Sequence, residues 1–266
     1  MSASTRNRAA TKAEPVETAP AGQRKDTTLD EVLQQGVPSV FLDANILIPE
    51  YLRSVFLDLA YAGLLEPHWS KGVLAETRRN LVDPQGRYAL DPRGVDKTLR
   101  AMAKAFPRAL AHGSEKYDEA FFGSTDAKDQ HVAAGALKVS LSVYGGKPVI
   151  LVTSNAADLP QWAFDGMQVL MLHPDRFLLA LLKRSAKAVV TTIDKMLMRF
   201  KNPPISQVNL LNVLVGAGCH MFALELGRRW GYEMKTSLTA ARQQQLPKTL
   251  RSTPAAAATS SFGEGR

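Results

Sequence analysis

The chain has 266 residues with 45% apolar content, enough to bury a sizeable core as one large domain or as a medium domain plus a small one. A formal net charge of +8 suggests an anionic partner, nucleic acid or a membrane surface, unless basic tails alone account for it. The single cysteine, Cys219, excludes an intrachain disulfide and fits a reducing cytoplasm; no secretory signal or bilayer-length apolar run is present.

Residues 1–27 are small, polar and charged, and are expected to be a disordered tail. Thr28-Leu29-Asp30-Glu31 fits a capping box that opens a short helix, which Gly36 and Pro38 end. Val40-Phe41-Leu42 then runs straight into Asp43, so 39–43 reads as a buried parallel strand. Pro49 starts a helix whose apolar face is Tyr51, Leu52, Val55, Phe56, Leu59 and Ala60. Residues 64–69 form a short strand or loop. Ser70 caps a helix over about 71–82 with Glu76, Arg79 and Asn80 on one polar face.

A loop over 83–95 leads to a helix carrying Leu99, Met102, Ala103 and Phe106, and 107–125 is less regular. An Ala-rich helix is expected over 126–140. Tyr144-Gly145-Gly146-Lys147 is a turn, 148–153 is the second buried strand, and 168–172 the third. Strands alternating with helices argue for an α/β fold with a covered parallel sheet. From residue 174 to about 234 the pattern is helical, and 235–266 reads as a disordered basic tail.

Two strands end in polar clusters, Asp43-Ala44-Asn45 and Thr153-Ser154-Asn155 with Asp158 close behind. Open α/β sheets place sites at the carboxyl ends of their strands. Asp126 and Asp129, three apart on the expected helix, would share a face. Each acid also has a bland reading: Asp43 as a turn former, Asp126 and Asp129 as helix-dipole partners, Asp158 as a cap, and Glu76 as the partner of Arg79 or Asn80. Together they suit a hard dication, since clustered carboxylates repel unless a cation neutralises them. The five histidines show no paired spacing, and neither a phosphate-binding glycine loop nor a serine-nucleophile motif is present. His131, one turn from Asp126, reads as structural, with a hydrogen bond to a site carboxylate as the alternative; Trp69 and Trp162 read as packing residues with a secondary potential for base stacking.

On these motifs the sequence resembles the PIN-domain ribonucleases, specifically VapC-like toxins. The matching stretches are Val40 to Leu47, the segment around Glu76 from Leu74 to Leu81, Asp126-Ala127-Lys128-Asp129-Gln130-His131, and Thr153-Ser154-Asn155-Ala156-Ala157-Asp158-Leu159-Pro160. The helical region, with Asn202-Pro203-Pro204, looks like the extension of one subgroup. In that subgroup the central motif tends to read Asp-Pro-Asp-Asp-Arg-His. Here Lys128 stands where an acid is usual and Gln130 replaces Arg.

The resemblance implies a three-layer α/β/α sandwich over 28–173 with a C-terminal helical extension over 174–234. It implies Mg²⁺- or Mn²⁺-dependent RNA cleavage, with a small antitoxin occluding the site. Carried over by position, Asp43, Glu76, Asp129 and Asp158 would bind metal, Asp126 would assist, and Thr153 and Asn155 would orient water or a carboxylate. Arg78, Arg79 and Lys128 are candidate phosphate contacts. The expected function is a cytoplasmic endoribonuclease acting on structured RNA such as tRNA or rRNA, with no membrane partner and homodimerisation left open. The competing expectation is a catalytically inactive PIN-like module that binds RNA or protein.

Overall fold

The computed structural model describes residues 28–142, 148–155 and 158–232. The expected tails 1–27 and 235–266, the turn Tyr144-Gly145-Gly146-Lys147, Ala156-Ala157 of the closing motif, and residues 233–234 of the helical extension lie outside the described residues.

Thr28 caps α1 (Leu29–Gln34) through the expected capping box, with its hydroxyl and the Glu31 carboxylate each accepting from the other's backbone N–H. Strand β1 (Ser39–Leu42) is buried along its whole length. Asp43 ends it and caps a four-residue helix, α2 (Ala44–Leu47), that the sequence pattern did not reveal. Next come α3 (Glu50–Tyr61), β2 (Glu66–His68) and α4 (Lys71–Val82), which Ser70 caps as expected. Helix α5 (Pro92–Ala105) starts inside the stretch read as loop, with Asp91 accepting from the Gly94 N–H and Pro92 in the first turn. The irregular stretch that follows holds a 3-10 helix, Ser114–Phe121.

Helix α6 begins at Gln130 and ends at Ser142, so the expected start at 126 is corrected. Residues 126–129 form a turn instead, in which Asp126 Oδ1 accepts from the Lys128 N–H at 3.1 Å. Asp126 and Asp129 therefore do not share a helix face. After β3 (Val149–Val152), the 3-10 helix Gln161–Phe164 and β4 (Val169–Leu172), four helices close the described chain: α7 (Pro174–Arg184), α8 (Ala186–Arg199), α9 (Gln207–Gly216) and α10 (His220–Arg229).

The four strands form one parallel sheet in the order β2-β1-β3-β4. Helices flank it, giving an α/β fold of the expected PIN-like kind. Helix α6 lies over β1, β3 and β4. It approaches closely because Gly135 has no side chain: a Cβ there would fall 2.2 Å from Phe41 Cζ. The C-terminal helices share the core with the sheet domain, and Phe56 of α3 stacks on Phe177 of α7 at 5.9 Å. Among the described residues no helix is long and apolar enough to cross a membrane.

Candidate functional site

The chain leaves β1 toward β2 on one side and returns on the other side as β3 and β4. The β1–β3 boundary is thus the point where the strand order reverses, the place where open α/β sheets set their ligand sites, beyond the carboxyl ends. Leu42 pairs with Val152, and the Asp43 N–H extends the ladder to Val152 O at 3.2 Å. The next residue on each strand is therefore flush with the other: Asp43 beside Thr153.

Asp43 is buried, with 4% of its surface exposed. Thr153 Oγ1 donates to its Oδ2 at 2.6 Å, Asn45 Nδ2 donates to the same oxygen at 2.5 Å, and the Ala44 N–H donates to Oδ1 at 2.5 Å. Asn45 also donates to Thr153 Oγ1 and accepts from the Ser154 N–H, stitching the two strand ends together. Burial lifts the Asp43 carboxyl to a pKa of about 6, against the lowering effect of the Thr153 and Ala44 hydrogen bonds; the charges of Glu76 and Asp129 lift it further.

Asp129 is buried at the foot of α6, and burial raises its pKa. Lys128 opposes that rise, while Asp158, Glu76 and Asp126 add to it. A single amide group, Asn155 Nδ2, donates to both Asp129 Oδ2 at 3.2 Å and Asp158 Oδ2 at 3.0 Å. The hydrogen bonds from Asn155 and Lys128 hold Asp158 below the usual carboxylate range. Lys128 Nζ lies 3.1 Å from Asp158 Oδ2 and 3.7 Å from Asp126 Oδ2. The ammonium expected to meet phosphate is thus directed at two carboxylates of the cluster.

Glu76 does not pair with Arg79 or Asn80, whose amide instead donates to the Glu76 backbone carbonyl. Its carboxylate reaches across to α6, with Oε2 3.2 Å from His131 Nε2, within ion-pair range but out of hydrogen-bond alignment. Burial pulls the His131 pKa down, but Glu76, with help from Asp43, more than offsets this and the net shift is upward. Asp118, on the 3-10 helix packed against α6, has Oδ1 sealed from water without a hydrogen-bond partner. Burial raises its pKa, and His131 counters the rise.

Six of the seven carboxylate and polar residues singled out from the sequence are linked at this edge through Thr153, Asn155 and Lys128, and Glu76 stands against His131. The two arginines do not join them. Arg78 forms a two-point pair with Asp96 at 2.6 and 3.3 Å, and Arg79 is exposed on α4. Trp69 is buried and packs edge-on against Phe106, whereas Trp162 is exposed. Cys219 is buried, and desolvation pushes its thiol pKa far up, so it is inert. Gly72 and Asp118 carried no signal in the sequence, whereas Asn45 stood in the strand-end polar cluster and contact with a site carboxylate was the alternative reading of His131.

The donor set is all oxygen, which suits Mg²⁺ or Mn²⁺. Among the described residues no three His, Cys, Asp or Glu side chains converge into a ready-made cage. Mg²⁺ does not need one, because it is usually held by one or two carboxylates and keeps several waters. The raised Asp43 pKa marks a negative charge that the protein alone leaves poorly compensated.

No curated protein and no solved structure matches the chain. One family model, the VapC50 C-terminal domain, matches residues 174–228, the segment from the start of α7 into α10. Over that segment the chain is similar to a VapC50 C-terminal domain.

Proposed function

We propose that the protein is a Mg²⁺- or Mn²⁺-dependent endoribonuclease, the toxin of a cytoplasmic toxin–antitoxin pair, that hydrolyses phosphodiester bonds in structured RNA such as tRNA or rRNA. The observation that carries this reading is the buried Asp43, poised near pH 6 beside Glu76 and Asp129 at the strand switch. The likeness of 174–228 to the VapC50 C-terminal domain supports it.

In this reading Asp43, Glu76, Asp129 and Asp158 would serve one or two ions, each held directly by one or two of the carboxylates and by the others through its waters. When bound, the ion lowers the pKa of a water and stabilises the leaving oxygen. Thr153 and Asn45 fix the Asp43 carboxylate by donating to Oδ2, and Asn155 holds Asp129 and Asp158 as a pair. Lys128 tempers the repulsion of Asp126 and Asp158. Arg79, exposed on α4, is the remaining candidate contact for phosphate. A small antitoxin that covers this edge would silence the enzyme.

The test is cleavage of purified total RNA with Mg²⁺, with Mn²⁺ and with EDTA, comparing native protein with Asp43→Asn. Discrete metal-dependent fragments that vanish in the variant support the reading; cleavage untouched by Asp43→Asn and Asp129→Asn refutes it.

The placement of Lys128 inside the acidic cluster favours one alternative, a catalytically silent binding module whose lysine takes a cation's place. Mg²⁺ separates the two. A binding site stabilises the fold by about 2.7 kcal/mol at a hundredfold excess over Kd, so a thermal melt indifferent to both ions would select the alternative.

A further inference from the structure

We propose that Trp162 and Phe122 are a stacking platform for unpaired nucleobases of the RNA strand on either side of the bond to be cut; the proposal rests on the nuclease reading above. Phe122 is 85% exposed and Trp162 58% exposed, although both belong to residue types that folding ordinarily buries.

Neither ring is exposed for want of anchoring. Their neighbours Phe121 and Phe164 are buried and pack on each other, with centroids 5.6 Å apart. This contact pins the 3-10 helix Ser114–Phe121 to the 3-10 helix Gln161–Phe164. The Gln161 side chain clamps the second helix to β4, accepting from the Met171 N–H at 2.9 Å and donating to Val169 O at 3.4 Å. Two segments anchored on each other thus each present an aromatic ring to water.

Those segments adjoin the acidic site. Phe122 precedes Asp126 by four residues, and Trp162 follows Asp158 by four. The Asp126 N–H donates to Asp158 O at 3.4 Å, and Lys128 bridges the two carboxylates. Each ring is therefore four residues along the chain from a carboxylate of the cluster.

The candidate nuclease site beside the rings, and not the charge of Glu119 and Asp165 around them, is what selects nucleobases over a protein surface. Glu119, Gly123, Gln161 and Asp165 around the rings are exposed, so the rings are separate plates and not the centre of a continuous apolar patch. Single-stranded RNA is held in this way, with aromatic faces taking successive bases near groups that manage the backbone. Duplex RNA offers no free base face and would gain nothing from them.

The test uses full-length Asp43→Asn, to prevent cleavage, and titrates it with a short single-stranded RNA of mixed sequence and with its fully paired duplex. Tryptophan emission and affinity are both read. Trp162→Ala and Phe122→Ala are each expected to weaken single-strand binding about 10-fold, and Trp162→Phe to keep most of the affinity. Trp162→Ala also removes the quenching on binding, the duplex is bound alike by all variants, and the salt dependence stays the same. Equal single-strand affinity in all variants overturns the proposal and reassigns the rings to a protein partner. Equal loss of single-strand and duplex binding also overturns it, as the mark of a general defect. Cleavage of total RNA by the protein with Asp43 intact is run in parallel. Cleavage with unchanged affinities sinks the platform alone, whereas ring-dependent binding without cleavage keeps the platform and sinks the nuclease reading.

Discussion

Gly72 of α4 faces His131 of α6, and a Cβ built on Gly72 would lie 2.6 Å from His131 Cδ2 and 3.0 Å from its Cβ. The imidazole occupies the space that any other residue on α4 would fill, and from there it meets Glu76 one turn further along the same helix. Gly72→Ala should therefore act on the site more than on the fold. Alanine gains about 1 kcal/mol of helix propensity, but the ring has to move away from Glu76. The expected outcome is slower metal-dependent cleavage, a weaker Mn²⁺-induced rise in melting temperature, and little change in metal-free stability. Full activity with a raised melting temperature would show that the contact with Glu76 is dispensable.

The elevated Asp43 pKa predicts how metal-free stability varies with pH. Between the unfolded value of 3.8 and the folded value of about 6, the folded protein holds more protons on this group than the unfolded chain does. Its contribution is therefore fully present below 3.8 and lost as pH rises through 6, a difference on the order of 3 kcal/mol. Asp43→Asn keeps a good helix cap and removes the charge. Urea unfolding should find the variant more stable than native protein near neutral pH, with the advantage disappearing in acid. An advantage that is constant with pH would refute the assignment of the strain to Asp43.

Lys128 supplies a third prediction. Without its ammonium, Asp126 and Asp158 lose their nearest positive charge, so the cluster becomes a stronger trap for cations. Lys128→Ala should lower metal-free stability slightly and enlarge the thermal shift produced by Mg²⁺, and Lys128→Glu should do both more strongly. A reduced shift in either variant would mean that Lys128 contributes to ion binding instead of competing with it.

Gly135→Ala tests the contact between α6 and β1. The added methyl would overlap the Phe41 ring, which is completely buried and has nowhere to go. Overpacking of this kind costs about 1–3 kcal/mol, more than the helix propensity returns. Urea denaturation should give a lower midpoint with an unchanged slope; a stabilised variant would show that α6 can slide over the sheet.

Strands β1, β3 and β4 were legible in the sequence because short apolar runs leave little choice to a parallel sheet, whereas β2, Glu66-Pro67-His68, read equally as strand or loop. The start of α6 was not legible. Asp126-Ala127-Lys128 is acceptable helix sequence, but the Asp126 N–H is taken by Asp158 O and its carboxylate by the Lys128 N–H, so tertiary and turn contacts hold it outside the helix. The sequence also could not show that Glu76 turns toward His131 and not toward its own helix neighbours. The two residues lie on different helices, and what brings them together is the missing side chain of Gly72, which from sequence alone looks only like a mild flaw in α4.

The hydrogen bond from Thr153 to Asp43 joins residues 110 positions apart, across strands that must already be in register. A chain still emerging from the ribosome, with β1 exposed but Thr153 not yet made, has only Ala44 and Asn45 to hold that carboxylate. Nor can a fragment cut anywhere between the two strands keep half a site. The geometry of this edge is consequently set only once the chain has been made at least as far as Thr153, more than half of its length.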